Sequence, residues 1–353
     1  MEKVMEERKR AILRAVADDY ISTAEPVGSR TIARRYGLGI SPATIRNEMA
    51  DLEEEGYLEQ PHASAGRVPS DKGYRFYVDA LMSERGLSGF EEKRIRAEYE
   101  KRRDEIQSLI KATAKVLGDL SKCASVVVAP AAREAEIRHI QLVPVNSDSV
   151  LVLVVTTAGL VEHKLISIEH ALTASDLDRI SGILNKRLRG ASLSQMRGRL
   201  LREVQADLTA YASFIESTVE LLLSAVSVSD QERVYTDGLT ELLTQPEFRE
   251  IERAKPVLGF LGSDDLVLGL FSGIAKGGPS GPSVRIGSEN ARDELKGCSV
   301  VSASYGIGGR SLGTIGVIGP TRMDYAGAMA LVSFMAEGLS DLLTRMSMRK
   351  ARV

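Results

Sequence analysis

Ser41 and Pro42 open a segment, PATIRNEMADLEEEG, whose pattern admits few folds. A serine hydroxyl caps the first free N–H groups of a helix, and proline at the first helical position has its φ preset. Ile45, Met49 and Leu52 then recur at i, i+4 and i+7, which puts them on one buried face. The opposite face carries Ala43, Asn47 and Ala50, flanked by Thr44 and Arg46. Small residues permit close approach, and an amide and a guanidinium can read base edges in a major groove. Upstream, SRTIARRYG reads as a short helix capped by Ser29 and ended by Gly37. A short helix, a glycine turn and a well-started second helix form a helix-turn-helix unit, with the second helix as the reader.

The flanks extend this unit. A first helix is predicted over about residues 4–21, with Ile12, Leu13, Val16, Tyr20 and Ile21 as its apolar stripe. After Gly56, YLEQPHASAGRVPS reads as two short extended pieces around a Pro/Ala/Ser/Gly tip, a β-hairpin wing. Ser70 starts a further helix, DKGYRFYVDALM. Residues 1–85 therefore read as a winged helix-turn-helix domain.

Charge does not advertise a nucleic-acid partner. The whole chain of 353 residues has a formal net charge of −2, and residues 1–85 hold 13 Lys+Arg against 15 Asp+Glu. Distribution matters more than the sum. Arg30, Arg34, Arg35 and Arg46 face only Glu48 over residues 27–49, and Arg67, Lys72 and Arg75 face only Asp71 over 61–78. Arg30, Arg34 and Arg35 sit on the helix that crosses the DNA backbone in such units, where they would grip phosphate. Arg67 lies beside the wing tip, where a phosphate or minor-groove contact is expected.

Beyond Glu84–Gly89, read as a hinge, one long charged helix is predicted over about 90–122, then a buried strand SVVVAP at 125–130. Residues 136–168 read as a three-strand meander, followed by helices at about 174–189 and 193–227. Leu208 and Ile215 belong to the apolar stripe of the second helix, which suits a core or a subunit contact. A short strand near 233–236, helices near 239–243 and 247–261, strands at about 283–287, 298–305 and 311–318, and a last helix at 324–347 complete an α+β domain of sensor type. Residues 134–228 read as an insertion into it.

No catalytic constellation stands out. His62, His139, His163 and His170 have no metal-ligand spacing to cysteines or paired carboxylates, so no cofactor and no enzyme activity are expected. YGIGGRSLGTIGVIG at 305–319 fails the dinucleotide pattern because Ser311 stands at its third glycine position. It reads instead as a hairpin turn at Ile307–Gly309 and a closely packed strand through Gly313 and Gly316. Cys123 and Cys298 are the only cysteines, which suits a reducing cytoplasm. No apolar run approaches the roughly 18 residues of a membrane helix.

Several long motifs together resemble the heat-inducible transcription repressor family HrcA. They are PVGSRTIARRYGLGISPATIRNEMADLEEEGYLEQPHASAGRVPSDKGYRFYVD at 26–79, QPEF at 245–248, VRIGSEN at 284–290 and CSVVSASYGIGGRSLGTIGVIGPTRMDYAGAMALV at 298–332. The resemblance implies a winged helix, a GAF-like domain over 86–133 and 229–353, and an inserted dimerising domain over 134–228. It implies a cytoplasmic homodimer that represses class I heat-shock operons at an inverted repeat called CIRCE, with the chaperonin GroEL as modulator. It carries DNA contact onto Thr44, Arg46 and Asn47 of the SPATIRNEM helix and onto Arg67 of the wing. The full expected contact set is Arg30, Arg34, Arg35, Ser41, Thr44, Arg46, Asn47, Arg67 and Lys72. The alternative is a winged-helix regulator that senses a metabolite through its GAF-like domain.

Overall fold

A computed structural model describes residues 5–102, 106–129, 136–156, 161–168, 172–191, 234–275, 281–307 and 310–351. The chain opens with α1 (Glu7–Thr23), α2 (Ser29–Arg35) and α3 (Pro42–Glu54). Strands β1 (Leu58–Glu59) and β2 (Val68–Pro69) pair antiparallel as the wing, and α4 (Asp71–Phe76) runs on into a π-helical turn, Tyr77–Leu81. Ile12, Leu13, Val16, Ile32, Ile45, Met49, Leu52, Leu58 and Tyr74 fill the core of this unit. The i, i+4, i+7 face predicted for α3 is thus the buried one. Ser29 is not a cap, however. It is the first helical residue, behind Gly28, which makes no side-chain cap hydrogen bond.

The single long helix expected over 90–122 is two helices. Helix α5 (Gly89–Lys101) ends at Arg102, and α6 (Ile106–Ser121) follows. A capping box starts α5: the Ser88 hydroxyl accepts from the Glu91 N–H, and Glu91 accepts in return from the Ser88 N–H.

A five-stranded, wholly antiparallel sheet centres the GAF-like domain. Its strands are β3 (Ala124–Val128), β7 (Val234–Asp237), β8 (Ser283–Ile286), β9 (Cys298–Ile307) and β10 (Arg310–Pro320), in the order β7-β3-β10-β9-β8. Between β3 and β7 in sequence lies a second sheet of β4 (Ile137–Asn146), β5 (Ser149–Thr156) and β6 (Val161–Ser167). Helix α7 (Ala174–Leu188) packs on it. Asn185 of α7 accepts from the Ile140 N–H (2.8 Å) and donates to the Ile140 carbonyl (2.6 Å), which fixes helix to strand. The stretch read as a helix over 193–227, with Leu208 and Ile215, lies outside the described residues.

Each face of the five-stranded sheet buries a different helical layer. Val126, Val128, Val300 and Ile318 pack under α8 (Leu239–Leu243), α9 (Ile251–Leu261) and α10 (Asp264–Ala275). Val127, Val301, Ile315 and Val317 pack under α5, α6 and α11 (Tyr325–Ala351). Strand alternation produces this two-sided burial directly. Within α11, Tyr325–Met346 has the length and hydropathy to cross a bilayer, contrary to the sequence reading. It lies along β9 and α6, and its Leu331, Val332, Met335, Leu339 and Leu343 are core residues.

The glycine strand behaves as read. A Cβ on Gly313 would come within 2.2 Å of the Val128 carbonyl oxygen, and one on Gly316 within 2.6 Å of both Phe271 and the Val301 oxygen. Glycine is needed there for close approach, not for holding phosphate. The turn read at Ile307–Gly309 falls largely outside the described residues.

Candidate nucleic-acid interface

The start of α3 is built by its own first residues. Ser41 is extended (φ −68°, ψ 152°), and its hydroxyl accepts the Thr44 N–H at 3.1 Å. The Thr44 hydroxyl lies 2.9 Å from the same oxygen, so the two hydroxyls hold each other. Gly37 and Gly39, both at positive φ (57° and 69°), make the turn that separates α2 from α3. Gly56 at φ +79° ends α3.

Of the nine residues expected at the interface, six are exposed or half-exposed on α2 and at the start of α3. Ser41, Arg46 and Asn47 are exposed and Thr44 is half-buried at the N-terminal half of α3; Arg30 and Arg34 are exposed on α2. Among the described residues, none pairs with Arg30, Arg34, Arg46 or Asn47. Their donors and acceptors stay available to an outside partner.

The other three have partners within the chain, although Arg35 and Lys72 are themselves exposed and Arg67 is half-buried. Arg35 donates to the buried Asp19 carboxylate at 2.6 Å, and that hydrogen bond raises the guanidinium pKa. Arg67 bonds Glu53 at 2.8 Å, and its backbone pairs with Val27 in both directions at 2.9 Å. It stands at the base of the wing against α3 and not at the tip. Lys72 donates to the Glu55 carbonyl at 2.8 Å and lies 4.2 Å from the Tyr57 ring centroid, at the C-terminal end of α3. That position suits the negative end of a helix dipole.

Internal pairing reduces the charge objection. Most acids at and after the middle of α3 pair with cations of the same unit: Glu48 with Arg8 at 2.6 Å, Asp51 and Glu55 with the shared Lys9 at 3.3 and 2.7 Å, and Glu53 with Arg67, while Glu54 is exposed. Glu48 is buried, and its charge is offset by Arg8. Sequence reading missed Arg8 and Lys9, because pairs reaching from α1 to α3 leave no local periodic signal. It also missed Gln60, whose amide donates to the Ala63 and Ala65 carbonyls (3.0 and 3.1 Å) and shapes the wing loop.

No group of His, Cys, Asp and Glu suited to a metal occurs among the described residues. Cys123 and Cys298 are buried, and burial pushes each thiol up to about 12.

Comparison with known proteins adds an independent line. A family model described as the HrcA protein C terminal domain matches residues 107–329. A heat-inducible transcription repressor HrcA of Pelotomaculum thermopropionicum is 41% identical over 341 residues, covering 97% of each chain. One of Carboxydothermus hydrogenoformans is 44% identical over 340 residues, covering 96% of this chain and 98% of that one. A crystal structure described only as a hypothetical protein at 2.2 Å aligns with TM-score 0.66 and 25% identity, over 97% of this chain and 99% of that one.

Proposed function

The chain belongs to the HrcA family of heat-inducible transcription repressors, and from that premise we propose that it represses transcription by inserting α3 into the major groove of an operator. The observation that carries this reading is the outer face of α3. The Arg46 and Asn47 side chains have no partner among the described residues, while Glu48 of the same helix is buried against Arg8. In this reading Arg46 and Asn47 touch base edges, Thr44 and Ser41 lie beside them, and Arg30 and Arg34 grip phosphates. Arg35, Arg67 and Lys72 hold the unit in shape, and any contact they make with DNA is secondary to that role.

The finer reading follows the family resemblance. The operator is the inverted repeat CIRCE at class I heat-shock operons, bound by a cytoplasmic homodimer whose two α3 helices enter successive grooves, with GroEL as modulator. The domains run over 1–85, over 86–133 with 229–353, and over 134–228 as the dimerising insert. No reaction is catalysed. Homodimerisation draws support from the economy of matching a two-fold protein to a palindrome.

A footprint on duplexes from the upstream region of the chain's own chaperone operons tests the reading. Protection of two inverted half-sites, lost on Arg46→Ala, is the expected result. Equal affinity for operator and random duplex at moderate salt would overturn it.

A further inference from the structure

We propose that the docking of the winged helix onto the GAF-like domain fixes the direction in which α3 faces, and that this docking selects the spacing between operator half-sites. The inference rests on the two-fold binding proposed above.

Three attachments hold the winged helix. On α4, Arg75 forks onto Glu289, with Nε donating to Oε1 at 2.7 Å and Nη2 to Oε2. The same Nη2 donates to the Val284 carbonyl at 2.7 Å. A planar guanidinium on a carboxylate fixes orientation as well as distance. Beside it, the Asp71 carboxylate accepts the Ser288 N–H at 2.7 Å. Gly287 sits at φ +48°, and a Cβ there would come within 2.1 Å of Asp71 Oδ1.

The second attachment reaches α1. Arg322 donates to Glu247 at 2.5 Å, to Gln245 at 2.9 Å and to the Ile21 carbonyl at 3.2 Å. The third pins the connecting segment, where Arg85 donates to Asp324 at 2.9 Å. Tyr74 and Tyr325 pack between them with ring centroids 5.7 Å apart. Attachment at α4, α1 and the connector removes the rotation that any single contact would allow.

These contacts give a purpose to QPEF (245–248) and VRIGSEN (284–290), motifs that DNA contact leaves unexplained. Val284, Gly287, Ser288 and Glu289 receive α4, while Gln245 and Glu247 receive Arg322, which also holds α1. In a two-fold dimer, the separation of the two reading helices equals whatever the docked arrangement imposes. Freely tethered winged helices would accept a range of separations.

The test compares the wild-type full chain with Arg75→Ala/Arg85→Ala/Gly287→Leu/Arg322→Ala, which removes the polar attachments at α4, at α1 and at the connector without touching the DNA face. The probes are duplexes carrying one half-site, taken from the wild-type footprint, or two in inverted repeat with spacers altered one base pair at a time. The wild type is expected to lose about tenfold in affinity when the spacer departs from its optimum. The variant is expected to bind all spacers within about threefold of one another, with single-half-site affinity unchanged. A variant that keeps the wild-type spacer profile, or binds the optimal spacer more tightly than wild type, overturns the inference. A wild type that prefers no inverted repeat over one half-site overturns the two-fold reading and the inference with it.

Discussion

Lys9 on α1 meets Glu55 at the end of α3 at 2.7 Å, and the same ammonium lies 3.3 Å from Asp51. The hydrogen bond to Glu55, the largest influence on it, raises the lysine pKa, so the group is charged at every physiological pH. One cation is thereby shared by two carboxylates at the C-terminal end of the helix proposed to approach a polyanion, and halves their net charge.

Replacing Lys9 by methionine keeps the apolar stem and removes the charge. We expect operator affinity to fall about two- to fivefold at low salt, with the deficit shrinking as salt rises. Fluorescence anisotropy titrations across a salt series measure it. A deficit that does not change with salt would point to misfolding instead.

Arg46→Ala and Asn47→Ala should each cost about 1–3 kcal/mol of discrimination between operator and random duplex. Arg30→Ala and Arg34→Ala should weaken both duplexes alike and lower the salt slope by about one each. Competitive gel-shift titrations separate the two patterns. Sedimentation should show the oligomeric state unchanged in all four variants.

Acid should loosen the domain junction. Burial tends to raise the Glu289 pKa, but Arg75 and the Ile286 N–H outweigh it and hold the carboxylate below its usual range. A depressed folded-state pKa stabilises the docked form above the unfolded value, and that contribution fades as pH falls through the folded one. Protease cleavage within residues 82–88 should therefore rise as the pH drops below the ordinary glutamate range. Glu289→Gln should cleave readily at neutral pH already and respond less to acid.

Both thiols should resist alkylation in the folded chain. With Cys123 and Cys298 pushed up to about 12 by burial, iodoacetamide at neutral pH should leave both unlabelled until denaturant is added. Mass spectrometry reads the outcome, and rapid labelling of either in the native chain would contradict the buried placement.

How much of this was legible in sequence depends on the range of the interactions. Ser41, Ile45, Met49 and Leu52 announced α3 because capping and helical periodicity act within a few residues. The meander of β4 to β6 was visible through alternation, as in Val150, Val152 and Val154, which are buried between half-buried neighbours. Helix α10 was missed because DDLVLGLFSGIA is apolar almost throughout and holds two glycines, leaving no contrast between faces. The break between α5 and α6 was missed because charged residues run through it without a Pro or Gly stop. At the candidate interface, residue types were readable but their commitments were not. Whether an arginine faces water like Arg34 or a buried carboxylate like Arg35 depends on residues brought in by another helix.

The pairing of β3 with β7 has a topological consequence. Val128 lies opposite Val234 and Ser125 opposite Asp237, so the chain leaves and rejoins the larger sheet at adjacent points. Everything between hangs from a single doorway one strand-spacing wide. A tight turn spliced across it would close an ordinary hairpin, so this excursion can be lengthened, exchanged or deleted by recombination without rethreading the host sheet.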